Sequence, residues 1–338
     1  MQTMEDENAA VRKPSATTRI GIAIAAALTF AFGVYFLIEA TQPSGGLISF
    51  SFLLILPAAV SAFVCYVADP YAQRSSGQYL AMPFWLLLVV VVASIFFLRE
   101  GVICVLMLSP LWMISGMIGA AITYKMRRRL PEESGRTYCA VLIVLPLLSM
   151  QVEPMIPLPS DTKMVARSIV IDASPTRIWP LLRGIPDVRP GEGEWNISQD
   201  VIGIPRPVGA RLIGNGIGAD RYADWGQRIK FRERIVEWQP GRRIGWRFIF
   251  DDIAGWGYTD RHLMPDSPYF TVTTGGYTMQ PLGPNRTRVT VDTHYRIQTP
   301  VNLYSALWGQ LFLGDLENNL LALIKQRAER GTVVGEGR

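Results

Sequence analysis

Cysteine and histidine, the side chains that most often hold metals or carry nucleophilic chemistry, are scarce in this chain of 338 residues: it has three of the first and two of the second. Cys65, Cys104 and Cys139 all fall in, or at the start of, apolar runs of the first half. The second half therefore offers neither a disulfide framework nor a thiolate metal site. His262 and His294 are the only histidines, and His294 falls on the outward face of its strand, so no histidine metal centre or nucleophile–histidine triad is expected. Gly214, Gly216 and Gly218 lack the strand-then-helix context and the spacing of a dinucleotide cradle and read as a flexible turn. No metal and no cofactor is expected.

Charge is the other shortage. Residues 1–160 carry 10 Lys/Arg and 9 Asp/Glu, against 23 and 19 in residues 161–338. In its place stand long apolar runs: 49% of the chain is hydrophobic and the mean hydropathy is +0.20, too oily for a wholly soluble protein of this length. Residues 1–18 are short and polar and read as a disordered tail. Ile20 to Ala40, Gly46 to Ala68, Tyr79 to Leu98 and Gly101 to Tyr124 each have the length that crosses a hydrocarbon core of about 30 Å. Pro57 and Pro110 sit inside two of them, where neighbouring helices can satisfy the freed carbonyls. Only Arg99 and Glu100 separate the third and fourth runs.

With the N-terminus inside, the inner loops collect Arg12, Lys13, Arg19, Arg74, Lys125, Arg127, Arg128, Arg129 and Arg136, against Arg99 alone outside. That asymmetry sets a cytoplasmic N-terminus. No charge lies mid-span, which favours an anchor over an ion or proton path. A fifth run, Tyr138 to Met150, is 13 residues long, and reaches spanning length only if it continues to Leu158. The basic cluster pins its start inside, so a span is expected, giving a membrane domain over 19–158 and an extracytoplasmic C-terminal domain over 159–330. Should it not cross, that domain is cytoplasmic. Residues 331–338 read as a second disordered tail.

The C-terminal half changes period. Ser168 to Ile171 reads as the end of a strand beginning near Lys163, followed by Ser174-Pro175 as helix cap and first-turn proline and a short helix, Thr176 to Leu182. From Ile185 to Val208 the chain is rich in proline and glycine and has little periodicity. Strands are expected over Ala210 to Gly214, Arg221 to Trp225, the two arms of Arg228 to Phe250, Tyr269 to Thr274, Gly276 to Leu282 and Thr287 to Gln298. In the long hairpin, Ile229, Phe231, Glu233 and Ile235 share one face and Arg228, Lys230, Arg232 and Arg234 the other. After the turn Gln239-Pro240-Gly241, Ile244, Trp246, Phe248 and Phe250 continue the oily face. An amphipathic helix from about Val301 to Arg330, with Leu303, Leu307, Leu311, Leu321 and Ile324 among its apolar positions, closes the chain and is the natural cover for that face.

The run Ser168-Ile-Val-Ile-Asp-Ala-Ser-Pro-Thr-Arg-Ile-Trp-Pro-Leu-Leu, the hairpin Glu233-Arg-Ile-Val-Glu-Trp-Gln-Pro-Gly-Arg-Arg and the ending Gly283-Pro-Asn-Arg-Thr-Arg-Val-Thr-Val-Asp-Thr resemble the START-like superfamily, whose members include polyketide cyclase/dehydrase and lipid transport (SRPBCC) domains. The resemblance covers residues 163–330 and none of the membrane half. It implies a helix-grip fold: a bent antiparallel sheet wraps the C-terminal helix and leaves an apolar cavity. Because that superfamily mixes enzymes, carriers and sensors, the fold does not choose among them.

Glu233 is the exception on the oily face. A carboxylate there must find a partner or hold its proton, and Arg221 is the available partner if its strand lies alongside. The pair can fix the sheet internally, orient a polar ligand head, or serve as acid and base. Phe231, Trp246, Phe248 and Tyr295 complete the inward set expected to line a cavity. Trp256 and Tyr258, on a glycine-flanked loop, can form a lid or pack on the domain. The basic ribbon reads as a solvated face, with anionic lipid headgroups as the sharper alternative. Nucleic acid is disfavoured, since no exposed aromatics interleave with the charges. The expected partners are thus a lipid bilayer and a hydrophobic small molecule or lipid. The alternatives are a cyclase/dehydratase-type enzyme and an assembly protein whose cavity has closed by packing.

Overall fold

The computed structural model describes residues 16–41, 48–94, 102–129, 135–226, 229–252 and 264–330, which divide into two compact units with a boundary between Ile156 and Pro157. The N-terminal unit is helical: α1 (Ala16–Thr41), α2 (Leu56–Ala68), α3 (Ser76–Ala93), α4 (Val102–Arg127) and α5 (Gly135–Val152). The first begins at Ala16, inside the stretch expected to be a tail. Five helices among the described residues are long and apolar enough to cross a membrane, and the fifth of these segments, Thr137–Met155, includes the short run whose length was in question. It reaches that length because the helix carries on through Pro146 to Val152 and then tightens into a 3-10 turn, Glu153–Met155.

Small residues set the helix packing here. The Gly119 Cα lies against the Ala58 backbone of α2 so closely that a Cβ would overlap the Ala58 carbonyl, and the Ser115 hydroxyl donates to the Leu54 carbonyl. Pro57 sits in the first turn of α2, just after a π-helical turn, Ser51–Ile55, whose wider pattern leads the chain into it. The Glu153 carboxylate receives the backbone N–H groups of Phe50 and Ser51, and Asp69 those of Gln73 and Arg74.

The C-terminal unit is one seven-stranded antiparallel sheet in the order β1-β7-β6-β5-β4-β3-β2. The strands are β1 (Ser160–Ile171), β2 (Gly209–Ile213), β3 (Asp220–Asp224), β4 (Lys230–Gln239), β5 (Arg243–Ile249), β6 (Phe270–Gly283) and β7 (Arg286–Gln298), with α6 (Pro175–Arg183) after β1 and α7 (Asn302–Glu329) closing the chain. A helical region followed by an antiparallel sheet and a C-terminal helix is consistent with the expected helix-grip arrangement. Ser174 takes the cap position of α6 with Pro175 behind it, but its hydroxyl pairs with Thr176 instead of capping the backbone.

Two expectations change. The two strands expected around residue 275 are a single strand, β6, with a register irregularity at Val272/Thr274. Gly275 and Gly276 do not break it. They leave room for Trp246 and Arg243, whose side chains would press within about 3 Å of any Cβ there. On α7, Leu303 and Leu307 are exposed, at 82% and 64%, although both were expected on the apolar face. The buried face is built instead from Gly309, Gly314, Glu317, Asn319, Leu321, Leu323 and Ile324, because small residues allow Tyr295 and Arg167 of the sheet to come close.

The aperiodic stretch 185–208 contains no strand, as its lack of repeat implied. It is ordered against α7 by polar contacts: Asn319 accepts from Glu194 N–H and Arg206, Asp315 accepts from the backbone and hydroxyl of Ser198, and Gln326 exchanges hydrogen bonds with the Gly193 backbone. Arg327 and Arg330 close on Glu192, holding its carboxyl down at about 2. This segment is thereby fixed as one wall of the space beneath α7.

Candidate functional site

The alternation read from the hairpin is realised. Ile229, Glu233, Ile235, Ile244 and Trp246 are buried, while Arg232 and Arg234 lie on the other face. On that face the ribbon is neutralised: Arg232 pairs with Asp220 and Asp251, Arg234 with Asp220, and Lys230 with Asp224. These partners neutralise Lys230, Arg232 and Arg234; Arg228 lies outside the described residues.

Beneath the sheet's inner face is a cavity of about 130 Å³. That is the order of size at which an apolar cavity stays dry and accepts a benzene-sized guest. Trp225, Phe231, Trp246, Phe248 and Phe250 form its aromatic side, the 185–208 segment contributes Ile185, Val188 and Ile204, and α7 roofs it with Leu313, Leu316, Leu320 and Leu323. The ring centroids of Phe231 stand 5.8 Å from Phe248 and 5.9 Å from Phe250, so the wall is a continuous aromatic surface. The lower end is closed by packing of Ile171, Ile178, Leu182, Ile244, Val289, Leu321 and Ile324.

Three charged side chains are buried in this lining. Arg221 of β3 stands opposite Glu233 of β4 in register, with Nε 3.1 Å from Oε2. Its guanidinium lies 4.8 Å above the Trp246 ring and 5.6 Å from that of Tyr277, cation–π contacts that a desolvated site strengthens. Burial raises the Glu233 pKa against the pull of Arg221, while Glu233 and Tyr277 outweigh burial to keep Arg221 charged. The contact is an ion pair without hydrogen-bond alignment: Arg221 Nε and Nη1 and Glu233 Oε2 all lack hydrogen-bond partners.

The third is Glu317 of α7, 2% exposed, with neither carboxylate oxygen accepting a hydrogen bond. Burial pushes it up to about 7; the neighbouring Thr293 and Arg167 ease the shift and Asp292 adds to it. Thr293 is near but not aligned to bond. Sequence reasoning missed Glu317. The signal available was its place one turn before Leu321 on a helix meant to cover an oily face, the position in which Glu233 drew attention on its strand.

Of the expected site residues, the fold brings together Arg221, Phe231, Glu233, Trp246 and Phe248. Tyr295 is a correction. It faces inward but belongs to a separate cluster with Val165 and Ile297, its ring against Gly309, and does not line the cavity. The tight approach of α7 at that glycine closes the space above it. Trp256 and Tyr258, the expected lid, lie outside the described residues, as does His262. Among the described residues no three His, Cys, Asp or Glu side chains group as metal ligands would.

No known protein family matches the chain, and no curated protein does. Solved structures do. Norcoclaurine synthase from Thalictrum flavum aligns at 13% identity over 53% of this chain and 91% of its own, with a TM-score of 0.33. The Zhui aromatase/cyclase from Streptomyces sp. R1128 aligns at 13% identity over 52% of this chain and 99% of its own, TM-score 0.32. A START superfamily protein from Mycobacterium smegmatis aligns at 17% identity over 48% and 97%, TM-score 0.30. Likeness of this size carries nothing about the ligand or activity of this chain.

Proposed function

We propose that this is an integral membrane protein whose C-terminal domain binds a hydrophobic small molecule or lipid in the cavity beneath α7. The observation that carries the reading is an apolar, aromatic-walled cavity containing buried polar groups that the protein leaves unsatisfied: Arg221 Nη1 and both oxygens of Glu317. Buried polar atoms without partners each cost about 1–3 kcal/mol, so a site that keeps them gains most from a ligand that supplies the missing bonds. An assembly protein with its cavity packed shut fits poorly with an open, aromatic-lined space.

In this reading the five apolar helices cross the bilayer, the N-terminus is cytoplasmic and the ligand domain is extracytoplasmic, on the charge asymmetry of the loops. The full-length protein, purified gently in detergent and analysed by mass spectrometry, should release a retained apolar compound. Trp246→Ala, checked to be folded, should release much less. Equal release from both, or no compound at any level, would sink the reading.

Glu317 favours a second reading as an enzyme. A carboxyl poised near neutrality, in one cavity with the Arg221–Glu233 pair, is the arrangement a general acid or base needs. A cyclase or dehydratase acting on a hydrophobic carbonyl compound is the corresponding chemistry. Retained ligand with lost turnover in Glu317→Gln would identify it.

A further inference from the structure

Glu317 lies in the middle of α7 with its side chain in the cavity lining and almost no contact with solvent. Its surroundings are specific. From β7 it is faced by Thr293 and Asp292, from β1 by Arg167, and from β6 by Tyr277, with the Arg221–Glu233 pair in the same cavity. Each charged neighbour is otherwise engaged. Arg167 donates to the carbonyls of Ala166 and Gln310, Asp292 is held by Arg243, and Arg221 is set against Glu233. Glu317 therefore lines the space with two carboxylate oxygens that no aligned protein hydrogen bond meets, while the wall is built of the aromatic rings of Trp225, Phe231, Phe248 and Phe250. An alcohol can donate one hydrogen bond; an ammonium group can donate to both oxygens at once and is also attracted by aromatic faces.

Building on the ligand-binding reading above, we propose that Glu317 is a ligand-contact residue and that the cavity's occupant is a hydrophobic amine, whose ammonium group supplies the donors both Glu317 oxygens lack. The apolar part of such a ligand lies along the aromatic wall. Because Glu317 holds a proton in part at neutral pH without ligand, pairing with a cation expels that proton, and binding is coupled to proton release. Protonation of Glu317 in acid removes the attraction.

The test uses full-length protein in detergent micelles, titrated calorimetrically with octylamine, 1-octanol and octanoate against a micelle blank. At pH 8 octylamine should bind at least tenfold tighter than either of the others. Glu317→Gln, nearly equal in volume, should lose that tenfold advantage for octylamine while 1-octanol binds as before. At pH 7 the octylamine heat should depend on the ionisation enthalpy of the buffer in the native protein and not in Glu317→Gln. Octanoate or 1-octanol binding as tightly as octylamine, or unchanged octylamine affinity in Glu317→Gln, would overturn the amine assignment and leave the cavity-binding reading standing. Failure of all three probes to bind would overturn both.

Discussion

Arg221 and Glu233 face each other across the β3–β4 ladder, 3.1 Å apart and both nearly solvent-free, with Trp246 beneath the guanidinium. Removing either partner strands the other charge. Glu233→Leu or Arg221→Met alone should therefore cost about 3–5 kcal/mol, whereas the double variant should return close to native stability, as apolar replacement of a buried pair commonly does. Denaturant unfolding of the four proteins forms a double-mutant cycle. A double variant as unstable as the sum of the singles would show that the pair is not one electrostatic unit. If the pair orients a ligand head, the double variant should be stable and yet retain less ligand.

The two faces of the hairpin separate binding from stability. Phe231 is only half-buried and lines the cavity, while Arg232 next to it points to the opposite face and pairs with Asp220 and Asp251. Phe231→Ala should reduce ligand retention strongly, and Arg232→Ala should leave it nearly unchanged with only a small loss of stability, since its ion pairs lie on the outer face and are screened by solvent. Equal effects on retention would mean that the inward face does not contact ligand.

What the sequence made legible follows from its period. A two-residue repeat is unambiguous in a strand, so Glu233 stood out among Ile229, Phe231 and Ile235, and Arg221 followed as a possible partner once its strand lay alongside. Helix α7 conceals its buried face, because Gly309 and Gly314, not leucines, set the contact, and Glu317 looks like one more polar residue among Asp315, Asn318 and Asn319. The 185–208 segment has no repeat to read, since its order comes from side chains of α7 more than a hundred residues away. Gly275-Gly276 resembled a strand break for a similar reason: the residues that need the room, Trp246 and Arg243, lie on another strand.

The membrane topology makes its own demand. If the helix over Gly135–Val152 crosses the bilayer, alkaline phosphatase fused after residue 160 should be active, and a reporter that works only in the cytoplasm should be silent. The reverse pattern would place the cavity domain inside. Reversing the charges of Arg127, Arg128 and Arg129 should weaken the preference, because these residues supply much of the inner positive charge.

Glu317 also predicts a pH dependence of stability with a definite sign. Its folded pKa, about 7, lies above the ordinary value of 4.5, so the folded protein holds a proton that the unfolded chain has lost. Below pH 4.5 both states are protonated and the residue costs nothing by ionisation. As pH rises from 4.5 towards 7 the unfolded state gains by ionising while the folded state does not, and stability falls. Above 7 both are ionised and the penalty is constant, about 3 kcal/mol for a shift of this size. Glu317→Gln should therefore be more stable than the native protein by about that amount at pH 8 and nearly equal to it at pH 4.5. Thermal or denaturant unfolding of both proteins, without added ligand, across pH 4.5 to 8 measures the difference directly. A difference independent of pH would mean that Glu317 is satisfied in the folded protein, and the case for it as a ligand contact would fall with that result.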